Sequence, residues 1–267
     1  MSADAICLLG FAIADPLDGW TTPGVISGTT TQIVRIGTVA LITTPINIES
    51  WTTTAELLTE TDRLRLVEWA VRYDQIVQEI HERTTFFPLR LGTFFSSEQV
   101  LSARFVPQRE WLEQQLTLAI NQDEWTVKAF GDDTKIVEVV RQVDPELREA
   151  GARLDDRPGT RYLQQKRVDG LTARKVSQYQ HIWMQEWQTA LELGMIERQR
   201  LPITSETLDG GRMLWQEAFR IERTRLNSWI TQVDHLAALQ KERGITMVSS
   251  GPWPLYHFTP VLEETGG

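Results

Sequence analysis

The chain has 267 residues, 41% of them hydrophobic and 24% charged, with a net charge of −9. That length holds one large or two ordinary domains, and that balance belongs to a folded chain rather than a disordered one. The acidic excess argues against a surface that binds nucleic acid or acidic membranes without specificity.

The excess is uneven. Residues 1–130 carry 16 acids and 9 bases, a net of −7, whereas residues 131–267 carry 20 and 18, a net of −2. Cys7 is the single cysteine, so no internal disulfide can form and a reducing compartment fits. Ten tryptophans call for large cores or partner surfaces. No run of about 18 apolar residues is present to span a membrane.

In chain order, Ile6 to Ala14 is apolar and β-rich. No basic segment precedes it, so it reads as a first strand and not a signal peptide. After a turn-rich stretch, "TQIVRIGTVALITTPI" reads as one long strand or as a hairpin turning near Gly37. Residues 62–82 read as a helix capped by Asp62, with Leu64, Val67, Val71, Ile76 and Ile80 at roughly helical spacing. "TTFFPLRLGTFFSSEQVL" then places Phe87, Leu89, Leu91 and Phe95 opposite Phe86, Arg90 and Phe94. Both faces are mostly apolar, which predicts an interior strand, with Gly92 permitting close backbone approach or a bulge. "SSEQ" is a capping signature for the next helix, which runs to about Asn121 with a break at Pro107.

"DEWTVKAFGDD" predicts a strand with Trp125, Val127 and Ala129 on one face and Lys128 and Phe130 on the other. A loop then feeds a long helix, and residues 148–175 carry 8 bases and 4 acids. Residues 212–240 read as a helix, with Trp215, Phe219, Leu226, Trp229, Val233 and Leu236 recurring by threes and fours. "ITMVSSGPWPLYHFTP" closes the chain as a strand leading into a proline-broken extended segment. This irregular alternation predicts an α+β protein of two domains, residues 1–120 and 121–267.

The residues that carry chemistry are scattered. There is no glycine-rich phosphate loop and no nucleophile elbow. The four histidines, His81, His181, His235 and His257, show no metal-ligand spacing. Cys7 in its apolar strand reads as a buried, inert thiol. The acid pairs Asp132–Asp133 and Asp155–Asp156 read as turn residues rather than a general acid and base. Arg90, alone among phenylalanines, calls for an acid or carbonyl partner, because an unpaired buried charge is costly. The basic stretch reads as a solvated helix face or a site for an acidic partner. Trp183 and Trp187, four apart on one helix face, read as core, with a partner surface as the alternative. No catalytic, cofactor-binding or metal-ligating residue is assigned.

Four stretches in order resemble one family. "FFPLRLGTFFSSEQVL" is similar to the proline–leucine–arginine–phenylalanine–glycine–threonine strand of the gas vesicle protein F/L family (GvpF/GvpL). "EWTVKAFGD" resembles its Glu-Trp-x-Val-Lys strand, "PGTRYLQQKR" its Gly-x-x-Tyr-Leu segment, and "SSGPWPLYHF" its Gly-Pro-Trp-Pro-Pro-Tyr-x-Phe ending. Leu91 and Leu255 depart from the pattern, standing where the family has phenylalanine and proline. The compact chain, without long insertions, resembles the F type more than the L type.

The resemblance implies a C-terminal domain with a modified ferredoxin-like fold and long helices, in which "EWTVKAF" and "TMVSSGPWPLYHF" are sheet strands. It also implies a minor or accessory protein of the gas vesicle, a cytoplasmic protein organelle. Its expected partners are the hydrophobic shell protein GvpA and other gas vesicle accessory proteins, with no nucleic acid, membrane, cofactor or catalytic residue. An α+β enzyme binding a small molecule is the alternative from another class. An RNA binder using a sheet with aromatics is disfavoured by the acidic balance.

Overall fold

The computed structural model describes residues 5–47, 59–152 and 157–260. The chain divides by its contacts into two compact units, Met1–Glu124 with Pro252–Gly267, and Trp125–Gly251. Each mixes helices with one antiparallel sheet, so the fold is α+β.

The first unit contains β1 (Ala5–Ile13), β2 (Gln32–Ile36), β3 (Val39–Ile46), α1 (Glu60–His81), β4 (Phe86–Pro88), β5 (Phe94–Phe95), α2 (Glu98–Phe105) and α3 (Arg109–Leu118). Its sheet runs β2-β3-β1-β4, with β5 also pairing β1. Of the two readings of "TQIVRIGTVALITTPI", the hairpin forms. Ile36 pairs Val39, and Gly37 turns the chain at φ 64°, a conformation that strains residues with a Cβ.

The predicted single strand over Phe86–Phe95 is instead two short strands. β4 pairs Gly10, Phe11 and Ala12, and β5 pairs Ile6 and Cys7. Between them residues 89–93 arch away, opposite a register shift in β1 between Leu8 and Gly10. A Cβ on Gly10 would lie 2.4 Å from the Phe87 carbonyl oxygen, so only glycine admits this approach.

Asp62 does not cap α1. Thr59 is the N-cap, and Asp62 is the third helical residue, answering it in a capping box. The buried face is Trp69, Tyr73, Ile76, Val77 and Ile80. Leu64, Val67 and Val71 of the predicted stripe are exposed. From Val71 to Ile76 is five residues, about 500° of helical rotation, so the stripe crosses to the opposite face there. Ser97 caps α2 as expected, accepting from the Val100 N–H at 3.3 Å.

The second unit takes up β6 (Gln122–Gly131), then α4 (Asp133–Val143), α5 (Pro145–Ala152), α6 (Pro158–Leu191), β7 (Met195–Arg200), β8 (Thr207–Leu208), β9 (Gly211–Glu222), α7 (Leu226–Lys241) and β10 (Ile245–Trp253). Its sheet order is β10-β6-β9-β7, with β8 pairing β9. The helix predicted over 212–240 is therefore half wrong. Residues 211–222 are a strand, and only 226–241 are helical. Trp215 and Phe219 are four apart, an even number, so they share a face in a strand as they do in a helix. β9 lies between β6 and β7 and is buried on both faces, which hides the alternation that marks a strand.

Trp187, Trp215, Phe219 and Trp229 centre the core of this unit. Trp187 meets Trp215 at 5.7 Å and Phe219 meets Trp229 at 5.3 Å between ring centroids. Trp183 and Trp187 are buried, as their spacing predicts. No helix among the described residues is long and apolar enough to cross a membrane.

Candidate functional site

Asp123 and Glu124 are consecutive in β6, so their side chains leave opposite faces of the strand. Each meets a histidine. His81, at the end of α1, brings Nε2 to 3.1 Å from Asp123 Oδ1, with both side chains under 10% exposed. On the other face His257 Nδ1 lies 2.6 Å from Glu124 Oε1, and the His257 backbone N–H donates to Oε2 at 2.8 Å. The bond to Glu124 pushes the His257 imidazole up from its ordinary value, against the opposing effect of burial.

His257 is one of three polar ties along the segment that follows β10. The Tyr256 hydroxyl donates to Asp74 Oδ1 at 3.0 Å, and the Thr259 hydroxyl donates to the Pro88 carbonyl at 2.8 Å. Leu255, just before the ties, and Phe258, among them, are buried. "PLYHF" is therefore not part of a sheet strand. β10 ends at Trp253, where Pro254 lacks the N–H a ladder requires, and the following residues strap the first unit. Burial pushes the Tyr256 phenol up, which keeps it a donor.

The arch at 89–93 is braced on all sides. Its backbone bonds β1 through Leu89 N–H to Leu9 O and Leu8 N–H to Thr93 O, both 2.8 Å. The Tyr73 hydroxyl donates to Leu89 O at 2.5 Å, and the Thr93 hydroxyl to Arg90 O at 2.8 Å. Gly92 turns the chain at φ 103°. The arch turns Arg90 outward. It is exposed, and no ion pair among the described residues engages its guanidinium, which overturns the expected buried partner. Phe86 and Phe87 fill the core, while Leu89 and Leu91 are only partly buried.

None of these groups forms a nucleophile with a base. Burial pushes the Cys7 thiol up, outweighing the opposing backbone bonds at Gly92 and Thr93. A groove of about 360 Å³ in the second unit holds Asp133, Asp169, Arg141 and Arg212, but each acid there faces an arginine. Arg212 Nε lies 3.0 Å from Asp133, and Arg141 lies 3.6 Å from Asp169. Asp132 caps α4 through the Thr134 and Lys135 N–H groups. Asp155 and Asp156 lie outside the described residues. No group of three metal-binding side chains occurs among the described residues.

The sheet edges differ in how they are closed. β2 carries Arg35, tied to Asp15 and Asp18. β4 and β5 are three and two residues long. β7 has a register shift between Met195 and Glu197 and carries Glu197, Arg198 and Arg200. Short length, charge and bulges are the usual means of blunting an edge. β10, the terminal strand of its sheet, has nine residues, "ITMVSSGPW", without a charge, and Thr246 and Val248 are exposed. Only Pro252, near its end, interrupts it. Sequence reading found β10 as a strand but missed its terminal place, because edge position is a property of the sheet.

A family model described as gas vesicle synthesis protein GvpL/GvpF matches residues 9–260. Among solved structures, the gas vesicle protein GvpF from Anabaena sp. PCC7120 is similar at a TM-score of 0.74 and 12% identity, over 97% of this chain and 99% of that one. GvpF from Microcystis aeruginosa is similar at a TM-score of 0.67 and 15% identity, over 97% and 100%. At these identities the two structures establish a shared fold. No curated protein sequence matches the chain.

Proposed function

The chain belongs to the gas vesicle synthesis protein GvpL/GvpF family, and from that premise we propose that it binds the hydrophobic shell protein GvpA early in vesicle assembly and stays as a minor part of the particle. A shell subunit that is to polymerise and face gas must expose apolar surface and strand edges, and unassembled it aggregates. A partner that adds a strand to such an edge holds it in solution. The observation that carries this reading is the uncharged, terminal β10, set against three edges that are short, bulged or charged.

The compact chain, without long insertions, supports the F type over the L type. The succession strand–helix–strand, strand–helix–strand and the order β10-β6-β9-β7 support a ferredoxin-like reading of the second unit. The proposed domain boundary near residue 120 falls just before β6. Other gas vesicle accessory proteins are further proposed partners, and the gas vesicle is the proposed location.

Purified GvpA should be captured by this chain, and antibodies should detect the chain on isolated vesicles. Thr246→Lys with Val248→Lys should lower capture at least tenfold, whereas Gln199→Lys on β7 should not. Absence of capture together with vesicles free of this chain would defeat the reading. Unchanged capture by the β10 variant would defeat strand addition at that edge.

A further inference from the structure

α6 begins well before its packed part. Its buried residues, Thr172, Trp183, Trp187 and Leu191, start at its fourth turn. Counting back along the same face gives Asp169, Gln165 and Tyr162, yet Tyr162 is 62% exposed, as is Leu163 beside it. The start of the helix, through Leu163, therefore lacks cover on the side that is core further along, whereas Asp169 on that side meets Arg141.

This arm is basic in an acidic protein. Residues 157–175 hold six bases, Arg157, Arg161, Lys166, Arg167, Arg174 and Lys175, against the one acid Asp169, a net of +5 in a chain of −9, and of these Lys175 is paired with Asp144 and Glu146. Arg161, Arg167 and Arg174 are exposed and have no acid partner among the described residues. Lys166 lies over the Tyr162 ring at 5.9 Å.

The complementary pattern stands on α1. Leu64, Val67 and Val71 are 67%, 60% and 53% exposed and follow one another at i, i+3 and i+7. They form a stripe opposite the buried Trp69, Tyr73, Ile76 and Ile80. Exposed Glu60, Glu68 and Asp74 flank the stripe, as does Arg63. Neither Glu60 nor Glu68 has a base partner among the described residues.

We propose that the α6 arm of one copy of this chain docks on the outward face of α1 of a second copy. Tyr162 and Leu163 would meet Leu64, Val67 and Val71, and the arginines of the arm would face Glu60 and Glu68. The two surfaces are different, so the contact is head to tail. Each added copy presents a fresh arm and a fresh α1 face, and growth stops only if the rotation closes a ring. Two short helical stripes bury less than the ~1,200 Å² of a stable interface, so the association is weak in dilute solution. Near 0.15 M salt the Debye length of ~8 Å screens repulsion between the acidic bodies while facing helices still attract. This contact does not depend on binding of the shell protein.

Sedimentation velocity on the full chain at near-physiological salt tests it. The weight-average sedimentation coefficient should rise with protein concentration and return to the monomer value at 1 M salt, where the Debye length is ~3 Å. Arg161→Glu with Arg167→Glu, and separately Glu60→Lys with Glu68→Lys, should each weaken association at least tenfold. All four residues are exposed, so the circular dichroism of both variants should match the parent. Mixing the two variants one to one restores opposite charge at both kinds of contact and should restore association. Leu163→Ser or Val67→Ser should weaken it without changing net charge. A parent chain that stays monomeric at every concentration overturns the proposal. So does a mixture that fails to recover, or association that survives both charge variants. Arm-dependent binding to anionic vesicles or RNA by a chain that never self-associates overturns it as well.

Discussion

Glu124, almost fully buried, takes two bonds from a single residue, His257: one from the ring at 2.6 Å and one from the backbone N–H at 2.8 Å. The histidine lies in the segment after β10 and the acid at the start of β6, so this pair holds the end of the described chain to the first unit. The pair gains from a charged imidazole. Because the folded state raises the His257 pKa, the contribution is fully present below the unfolded value of 6.5 and is lost as pH rises through the higher folded value. Imidazole NMR should show a His257 midpoint above that of free histidine, and proteolysis within residues 252–260 should quicken between neutral and alkaline pH. His257→Ala should cost about 2 kcal/mol at pH 6 by leaving a buried acid short of a donor. A midpoint at or below about 6.5 would contradict the pair's role.

Arg90 projects from a braced arch and engages no acid among the described residues. Arg90→Ala should leave the unfolding free energy within about 0.5 kcal/mol of the parent, the range of ordinary surface changes. Tyr73→Phe removes the bond to Leu89 O and should cost about 1 kcal/mol. Urea unfolding of both variants checks this, and a larger loss for Arg90→Ala than for Tyr73→Phe contradicts it.

Glu217 is buried in the interior of the second unit. Its Oε1 accepts from Gln188 at 2.6 Å and from the Trp215 indole at 3.3 Å, and its Oε2 from Arg198 at 3.4 Å. Glu217→Ala leaves the buried Trp215 indole without its acceptor and takes the bonds from Gln188 and Arg198, and should cost about 3 kcal/mol. Arg198→Ala should cost less, because that side chain is 31% exposed and keeps access to water. The double variant should lose less than the sum, since the residues share one network. Additive losses in denaturant titrations would show that the two act independently.

Trp215 is fully buried and touches Trp187 and Phe219. Trp215→Ala should cost about 3–5 kcal/mol through lost contact and the cavity left behind. Tyr162→Ala, on the exposed arm, should change monomer stability by no more than about 0.5 kcal/mol. Calorimetry on dilute samples separates the two.

Local rules succeeded where the deciding contact is close in sequence. Ser97 caps α2 because the N–H it accepts is three residues away. They erred by three residues at α1, where Thr59 and Asp62 both bear the right side chain and the helix uses them together. Gly92 alone points to the arch at 89–93, because "FFPLRLGTFF" alternates well enough to be one strand. Only the register shift between Leu8 and Gly10 in the opposite strand breaks it in two.

The sequence by itself determined the α+β class, the first and sixth strands, the buried tryptophan pair at 183 and 187, and the family, because order and spacing of short motifs survive in one dimension. Tertiary structure alone decided that Gly211–Glu222 is a strand, that Arg90 faces water, that the YHF segment returns to the first unit, and which uncharged strand ends its sheet. A residue's periodicity is local, whereas burial on two faces, strand order and the partner of an acid more than a hundred residues away are settled by chain segments that meet only on folding.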